Sequence, residues 1–270
     1  MSSEDILGLP EPPADHRVAY GPLPQQFGDL RLPTGSGPHP VAIVIHGGFW
    51  RARYDLGHAG HVCAALAAMG VATWNVEYRR LGQPGGGWPG TLRDVAAAAD
   101  HLGELGRMYP LDLGRVVAVG HSAGGQLALW LAGQTRPHAE STPRDGIPRP
   151  LRGVAALAAV CDLRQAWNLR LSGGVVSELL GGTPEQVPER YADASPTALL
   201  PLGVSQILLH GTADATVPFT LSEDYKRAAA AAGDDAQLVP LAGAGHFELI
   251  DPRSREWPRV SEAIRTLLGM

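Results

Sequence analysis

The 270-residue sequence predicts an α/β fold, with a mostly parallel central sheet covered by helices on both faces. Three observations lead there. Short apolar, β-branched runs recur without polar alternation, such as VAIVI at 41–45 and RVVAV at 115–119, as in strands buried on both faces. Longer segments with helical spacing lie between them. Strand and helix then alternate over most of the chain, which implies parallel strands joined by crossovers.

The elements follow in order. Residues 1–13 are acidic and Pro-rich and predict a loosely held arm. HRVAYG and QFGDLRL, around Val18 and Leu30, read as two short strands. Residues 33–40 form a turn-rich connector. A buried strand spans 41–47, a helix 57–69 and a strand 71–78. A helix over 91–106 has Thr91 as its N-cap, with Asp94 three residues on. The strand at 115–120 runs into a helix at 123–133, and another strand covers 153–160. Residues 161–201 are irregular, with short helical pieces such as VVSELLGG, and occupy the place where a small lid would fall. A strand at 204–211, a helix at 221–233, a strand at 236–241 and a helix over SREWPRVSEAIRTLLG complete the chain. No break in composition divides it, so 1–270 reads as one domain.

Composition narrows the function. Hydrophobic residues make up 44% and charged residues 18%, the balance of an ordinary globular protein. With a formal charge of −5 and no Lys/Arg cluster, nucleic acid is not an expected partner. No apolar run approaches the roughly 20 residues that span a bilayer. MSSEDILGLPEPP lacks the apolar core of a signal peptide, so a soluble cytoplasmic protein is expected. Cys63 and Cys161 lie in apolar stretches and read as buried free thiols.

The chemistry concentrates in four segments. Gly120-His121-Ser122-Ala123-Gly124 fits G-x-S-x-G between a buried strand and an Ala/Leu-rich helix. That context makes Ser122 the candidate nucleophile, on a strained turn that only flanking glycines permit. Ile45-His46-Gly47-Gly48-Phe49-Trp50 leaves the strand at 41–45 as a Gly-rich loop. An oxyanion needs preorganised N–H donors; Gly48, Phe49 and Ala123 are the candidates. His46 reads as a brace for this loop.

A serine nucleophile needs a base, and the base an orienting acid. After Ser122 the histidines are His138, His210 and His246. His138 lies in a Pro-rich loop and His210 ends a strand. His246, in the loop AGAGHF, is the candidate base. Asp214, in HGTADATVP and 32 residues before His246, is the candidate acid, ahead of Asp162. Asp251 and Glu248 follow the histidine, out of the Ser–acid–His order.

GHSAGG, HGGFW, HGTADATVP and GAGHF together resemble the α/β-hydrolase superfamily. Within it they are similar to the esterase and kynurenine-formamidase (arylformamidase)-like branch, as is YGPLPQQFGDLRLP before the loop strand. The resemblance, from about Tyr20 to the C-terminus, implies a serine hydrolase acting through an acyl-enzyme on a small-molecule ester, or an aryl or formyl amide. An acyltransferase, thioesterase or lactonase would use the same triad, and a non-catalytic binding module is the remaining class.

Trp50 and Trp88 are candidate walls of the substrate pocket. Tyr78, Arg79 and Arg80 read as supports of nearby loops. His58 and His61 are spaced H-x-x-H, but no ligand set accompanies them, so no metal is expected. The chemistry needs no cofactor. The oligomeric state, monomer or homodimer, is left open.

Overall fold

The computed structural model describes residues 3–134 and 151–270; His138 lies outside them. Its strands are β1 (His16–Ala19), β2 (Phe27–Arg31), β3 (His39–Ile45), β4 (Ala72–Val76), β5 (Leu111–His121), β6 (Gly153–Leu157), β7 (Ser205–Gly211) and β8 (Ala236–Leu241). They form one eight-stranded sheet in the order β1-β2-β4-β3-β5-β6-β7-β8. β2 runs antiparallel to both neighbours, and every pairing from β4 to β8 is parallel. The fold is the expected one.

Side-chain direction alternates along a strand, and here both directions are apolar. In β3, Val41, Ile43 and Ile45 enter one core while Ala42 and Val44 enter the other. In β6, Val154 and Ala156 oppose Ala155 and Leu157 in the same way. Helices α2 (Gly90–Asp100), α3 (Leu102–Met108) and α4 (Ala123–Gly133) supply Val95, Leu105 and Leu127 to the first core. Helices α1 (Gly60–Ala68) and, after β8, α9 (Trp257–Leu268) supply Leu66 and Ile264 to the second. Helix α8 (Thr220–Ala231) packs beside β8. No helix among the described residues is long and apolar enough to cross a membrane.

Three expectations are corrected. The N-terminal segment is docked rather than loose. Ser3–Gly8 forms a 3-10 helix, Ile6 is buried in the second core, and the buried Arg31 bonds Glu11 (3.2 Å) and the Pro12 carbonyl (2.6 Å). The helix at 91–106 is two helices meeting at His101. Thr91 is not its cap: Pro89 holds that position, and the Thr91 hydroxyl accepts the Gly87 N–H and donates to the Arg79 carbonyl. Asp94 is buried and grips Arg79 in a two-point ion pair, 2.7 Å at each contact, tying α2 to the chain after β4.

Cys63 and Cys161 are free and buried. Burial pushes the Cys63 thiol up to about 12 and Cys161 further, so neither supplies a thiolate nucleophile near neutral pH.

Candidate active site

Ser122 sits where β5 turns into α4, at φ 57° and ψ −119°. This is a region that side-chain-bearing residues rarely adopt, and the main chain around it is fully engaged. The Ser122 N–H donates to the Leu157 carbonyl (2.8 Å), and its carbonyl accepts from Gly125, Gln126 and Val160. The flanking glycines are required by space. A methyl on Gly120 would lie 2.1 Å from the Gly124 carbonyl oxygen, and one on Gly124 would lie 2.1 Å from that of Ile45. Ser122 is 2% exposed. The serine at the carboxyl end of the sheet is therefore shielded rather than open, with the Gly47 main chain packed beside it.

The loop after β3 has positive φ at three successive residues: Gly48 (104°), where glycine sits freely, and Phe49 (49°) and Trp50 (55°), where the side chain makes it strained. The Arg51 N–H to Gly48 carbonyl bond (3.0 Å) and the Leu81 N–H to Trp50 carbonyl bond (2.7 Å) hold it. Among the described residues, the N–H groups of Gly48 and Phe49 bond no acceptor. The Ala123 N–H opens α4, where first-turn donors lack intrahelical partners and the helix end favours negative charge. The three predicted donors are thus unspent.

Trp50 is corrected as a pocket wall. It is fully buried, and its indole N–H donates to the Gln126 Oε1 (3.1 Å); it anchors the loop to α4 instead. Trp88 is half-buried and bonds the Leu179 carbonyl through its N–H (2.7 Å).

His46 braces the loop. Its Nδ1 lies 2.8 Å from the Gly47 carbonyl and its Nε2 3.2 Å from Glu77, and its ring stacks on Tyr78 at 4.4 Å. Glu77 is 2% exposed and also bonds the N–H groups of Leu56 and Tyr78 and the Arg80 guanidinium. Burial alone would raise the Glu77 carboxyl, but His46, Arg80 and the Tyr78 N–H outweigh it and hold it below the usual range.

Asp214 lies in the loop after β7, and His246 in the loop after β8. Their side chains meet at 2.6 Å, Nδ1 to Oδ2, and are almost solvent-free. The other carboxylate oxygen accepts the N–H groups of Thr216 (2.8 Å) and Val217 (2.9 Å). Burial opposes ionisation of Asp214, yet the bonds from His210, His246 and Val217 hold its carboxyl well below the usual range. An ionised Asp214 accepts the hydrogen bond of the His246 Nδ1–H, the tautomer that leaves Nε2 bare, as a base requires. The two loops are joined by Ala213 N–H to Ala244 carbonyl and Gly243 N–H to Thr212 hydroxyl bonds, both 2.9 Å. The serine turn joins them through His121, whose Nε2 lies 2.9 Å from the His246 carbonyl.

Two of the alternative acids are otherwise engaged, while Glu248 keeps one buried carboxylate oxygen without a partner among the described residues. Asp162 caps helix α5 (Leu163–Asn168), and Asp251 pairs with Arg253. Sequence reasoning missed three supports. His210 stands 3.3 Å from Asp214, its Nε2 facing the same Oδ2 that His246 bonds; the spacing in HGTAD was the available signal. Gln126 is a lone polar residue in an apolar run, which is the mark of a buried bonded group; Glu77, between Asn75 and Arg79, carried no such signal.

Residues 161–201 fold into α5, α6 (Val175–Leu180), α7 (Pro188–Ala194) and two 3-10 turns. Arg51 ties the strained loop to this cap through Glu178 (3.0 and 3.1 Å) and the Ser172 carbonyl (3.2 Å). The Gln126 amide bonds the Ala194 carbonyl (2.9 Å).

Known proteins share this arrangement of elements. Esterase B from Lactobacillus rhamnosis superposes with a TM-score of 0.80 at 20% identity, covering 99% of this chain and 92% of that one. Esterase LipC of Mycobacterium tuberculosis is 28% identical over 247 residues, 87% of this chain and 60% of its own length. A probable isoprenylcysteine alpha-carbonyl methylesterase of rice is 26% identical over 86% of this chain and 58% of its own length. The chain thus spans about 60% of the length of these curated relatives. The BD-FAE family profile matches residues 29–228, which include the strained loop, the serine turn and Asp214. On the strength of that match, over more than half its length, the chain belongs to the BD-FAE family.

Proposed function

We propose that this chain is a serine hydrolase of small esters, with Ser122 as nucleophile, His246 as general base and Asp214 as the acid that orients it. The observation that carries this reading is the 2.6 Å bond from His246 to Asp214 in a loop hydrogen-bonded to the residue before Ser122. His246 Nε2 takes the Ser122 proton as the hydroxyl attacks the ester carbonyl. The N–H groups of Gly48, Phe49 and Ala123 receive the oxyanion. The alcohol leaves with the proton returned by His246, and water, activated by the same base, releases the acid.

An ester is favoured over a formamide because the relatives are described as esterases. The HGGFW loop, which resembles the formamidase motif, also buries its tryptophan in the core instead of presenting it to substrate. Of the two candidate pocket walls Trp88, half-buried, remains, and the half-buried side chain of Phe49 joins it in this reading.

A panel of p-nitrophenyl esters of increasing chain length, with N-formylkynurenine, tests the reading on wild type and Ser122→Ala. Turnover of short esters that vanishes in the variant is expected. Preferential cleavage of the formyl amide would move the assignment to a formamidase, and full activity in Ser122→Ala would remove the triad assignment.

A further inference from the structure

Behind the proposed base lies a second set of histidines that the mechanism does not use. His58 Nε2 is 2.9 Å from His121 Nδ1, and His121 Nε2 is 2.9 Å from the His246 carbonyl. The His121 ring centroid is 4.5 Å from that of His246, and Phe247 closes over all three rings at 5.1–6.2 Å. His121 is 2% exposed. His58 keeps part of its surface open, but its Nδ1 is shut off from solvent and has no partner.

The protons in this chain can be placed by elimination. A carbonyl only accepts, so His121 Nε2 carries a hydrogen toward His246. His121 Nδ1 then presents a lone pair, which His58 Nε2–H fills. A further proton on His121 Nδ1 would face the His58 N–H, donor against donor. One on His58 Nδ1 would be a buried donor with no acceptor, which costs more than an empty lone pair. Burial acts the same way, lowering His58 to about 3 and His121 well below its ordinary value.

We propose that His58 and His121 form a two-bond relay that positions the His246 loop: the His58 Nε2–H holds the His121 ring at Nδ1, and the His121 Nε2–H holds the His246 carbonyl. Both are positioning residues, and their catalytic consequence rests on the esterase reading above. Without the His58 donor, the His121 Nδ1 lone pair is buried and empty, and the ring is held at its Nε2 end only. The ring can then tilt, and the loop that carries His246 shifts with it. The neutral pair also keeps a competing cation away from the imidazolium that His246 becomes during acyl transfer.

The test compares His58→Phe, which keeps a ring but no donor, with His58→Gln, whose amide places a donor near the original Nε2. His58→Phe is expected to lower kcat about tenfold with KM within about twofold, and His58→Gln to return kcat to within about threefold of wild type, the scale expected when a positioned group drifts by a fraction of an ångström. Nitrogen-15 spectra of histidine-labelled wild type should show His121 with a protonated Nε2 and a bare Nδ1, and the Nδ1 resonance should shift in His58→Phe, where it loses its hydrogen-bond donor. The downfield Nδ1 proton of His246 should broaden in the same variant. A protonated Nδ1 on wild-type His121, or equal kcat in the two variants, would overturn the proposal. If wild type hydrolyses no ester, the function reading fails alone, because the spectra need no turnover. If His58→Phe fails to fold, the wild-type tautomer still decides.

Discussion

The two strained turns of the site are held in different ways. The Ser122 turn strains one residue, and its neighbours in the main chain hold it: the Leu157 carbonyl and the N–H groups of Gly125, Gln126 and Val160. The loop at 46–51 strains two, Phe49 and Trp50, and side chains from elsewhere help to hold it: Gln126 on Trp50, Glu77 on His46, Glu178 on Arg51. Strain persists only where its surroundings over-determine it. The serine turn is therefore a property of the strand–helix junction. The loop is a property of the whole first core, and it can be loosened from a distance.

Changes that leave the serine turn untouched sharpen this contrast. Glu77→Gln should have the largest effect. It breaks a buried charge cluster around His46 and Arg80, which costs on the order of 3–5 kcal/mol in unfolding free energy, and kcat should fall in whatever folds. Denaturant unfolding and initial rates read both quantities, and a stable variant with unchanged kcat would show that the loop holds itself. Gln126→Leu leaves the buried Trp50 N–H without an acceptor, a loss of about 1–3 kcal/mol. Its kcat should fall by about tenfold while its Ser122 turn stays intact, since the turn uses only the main chain of residue 126.

The histidines give a pH-dependent test. His58 is held neutral in the fold, with its value lowered to about 3, whereas an unfolded histidine titrates near 6.5. The unfolded chain therefore binds more protons below about pH 6.5, and stability falls as pH falls from there toward 3, by about 1.4 kcal/mol per pH unit for each such histidine. His121 adds in the same direction. The groups facing the pair are His46, His246 and Asp214. Glu77 and Asp214, held low in the fold, lose their contribution only at more acid pH. In His58→Phe the slope of stability between pH 6.5 and 5 should drop; an unchanged slope would mean that His58 is charged in the native state. The smallest effect belongs to Arg51→Ala. Its ion pair with Glu178 is half exposed, 29% and 50%, so stability should change by less than about 1 kcal/mol, with any change in KM exceeding that in kcat.

Much of this was legible in the sequence, for identifiable reasons. Strands such as 41–45 and 153–157 are apolar on both faces, so their burial and their parallel pairing read directly. The candidate site was legible because its geometry needs particular residues at fixed spacing: glycines around Ser122, and an acid and a histidine in loops after the last two strands. What failed was long-range. Ile6 and Arg31 dock an arm that composition marks as loose. Thr91 and Asp94 look like a helix cap and serve Arg79 instead. Trp50 sits in a loop motif, yet its indole lies in the core because Gln126, 76 residues away, supplies the acceptor that its buried N–H needs. Residues 161–201 gave no periodicity because their helices have six or seven residues each, too few turns to show a face.

The central claim is that Ser122 is the nucleophile that His246 activates. A fluorophosphonate probe with mass spectrometry of the labelled peptide tests it most directly. The account predicts a single adduct on Ser122, labelling slowed strongly in His246→Ala, and none in Ser122→Ala. An adduct on another residue, or an unmodified Ser122 in protein that still hydrolyses esters, would contradict it.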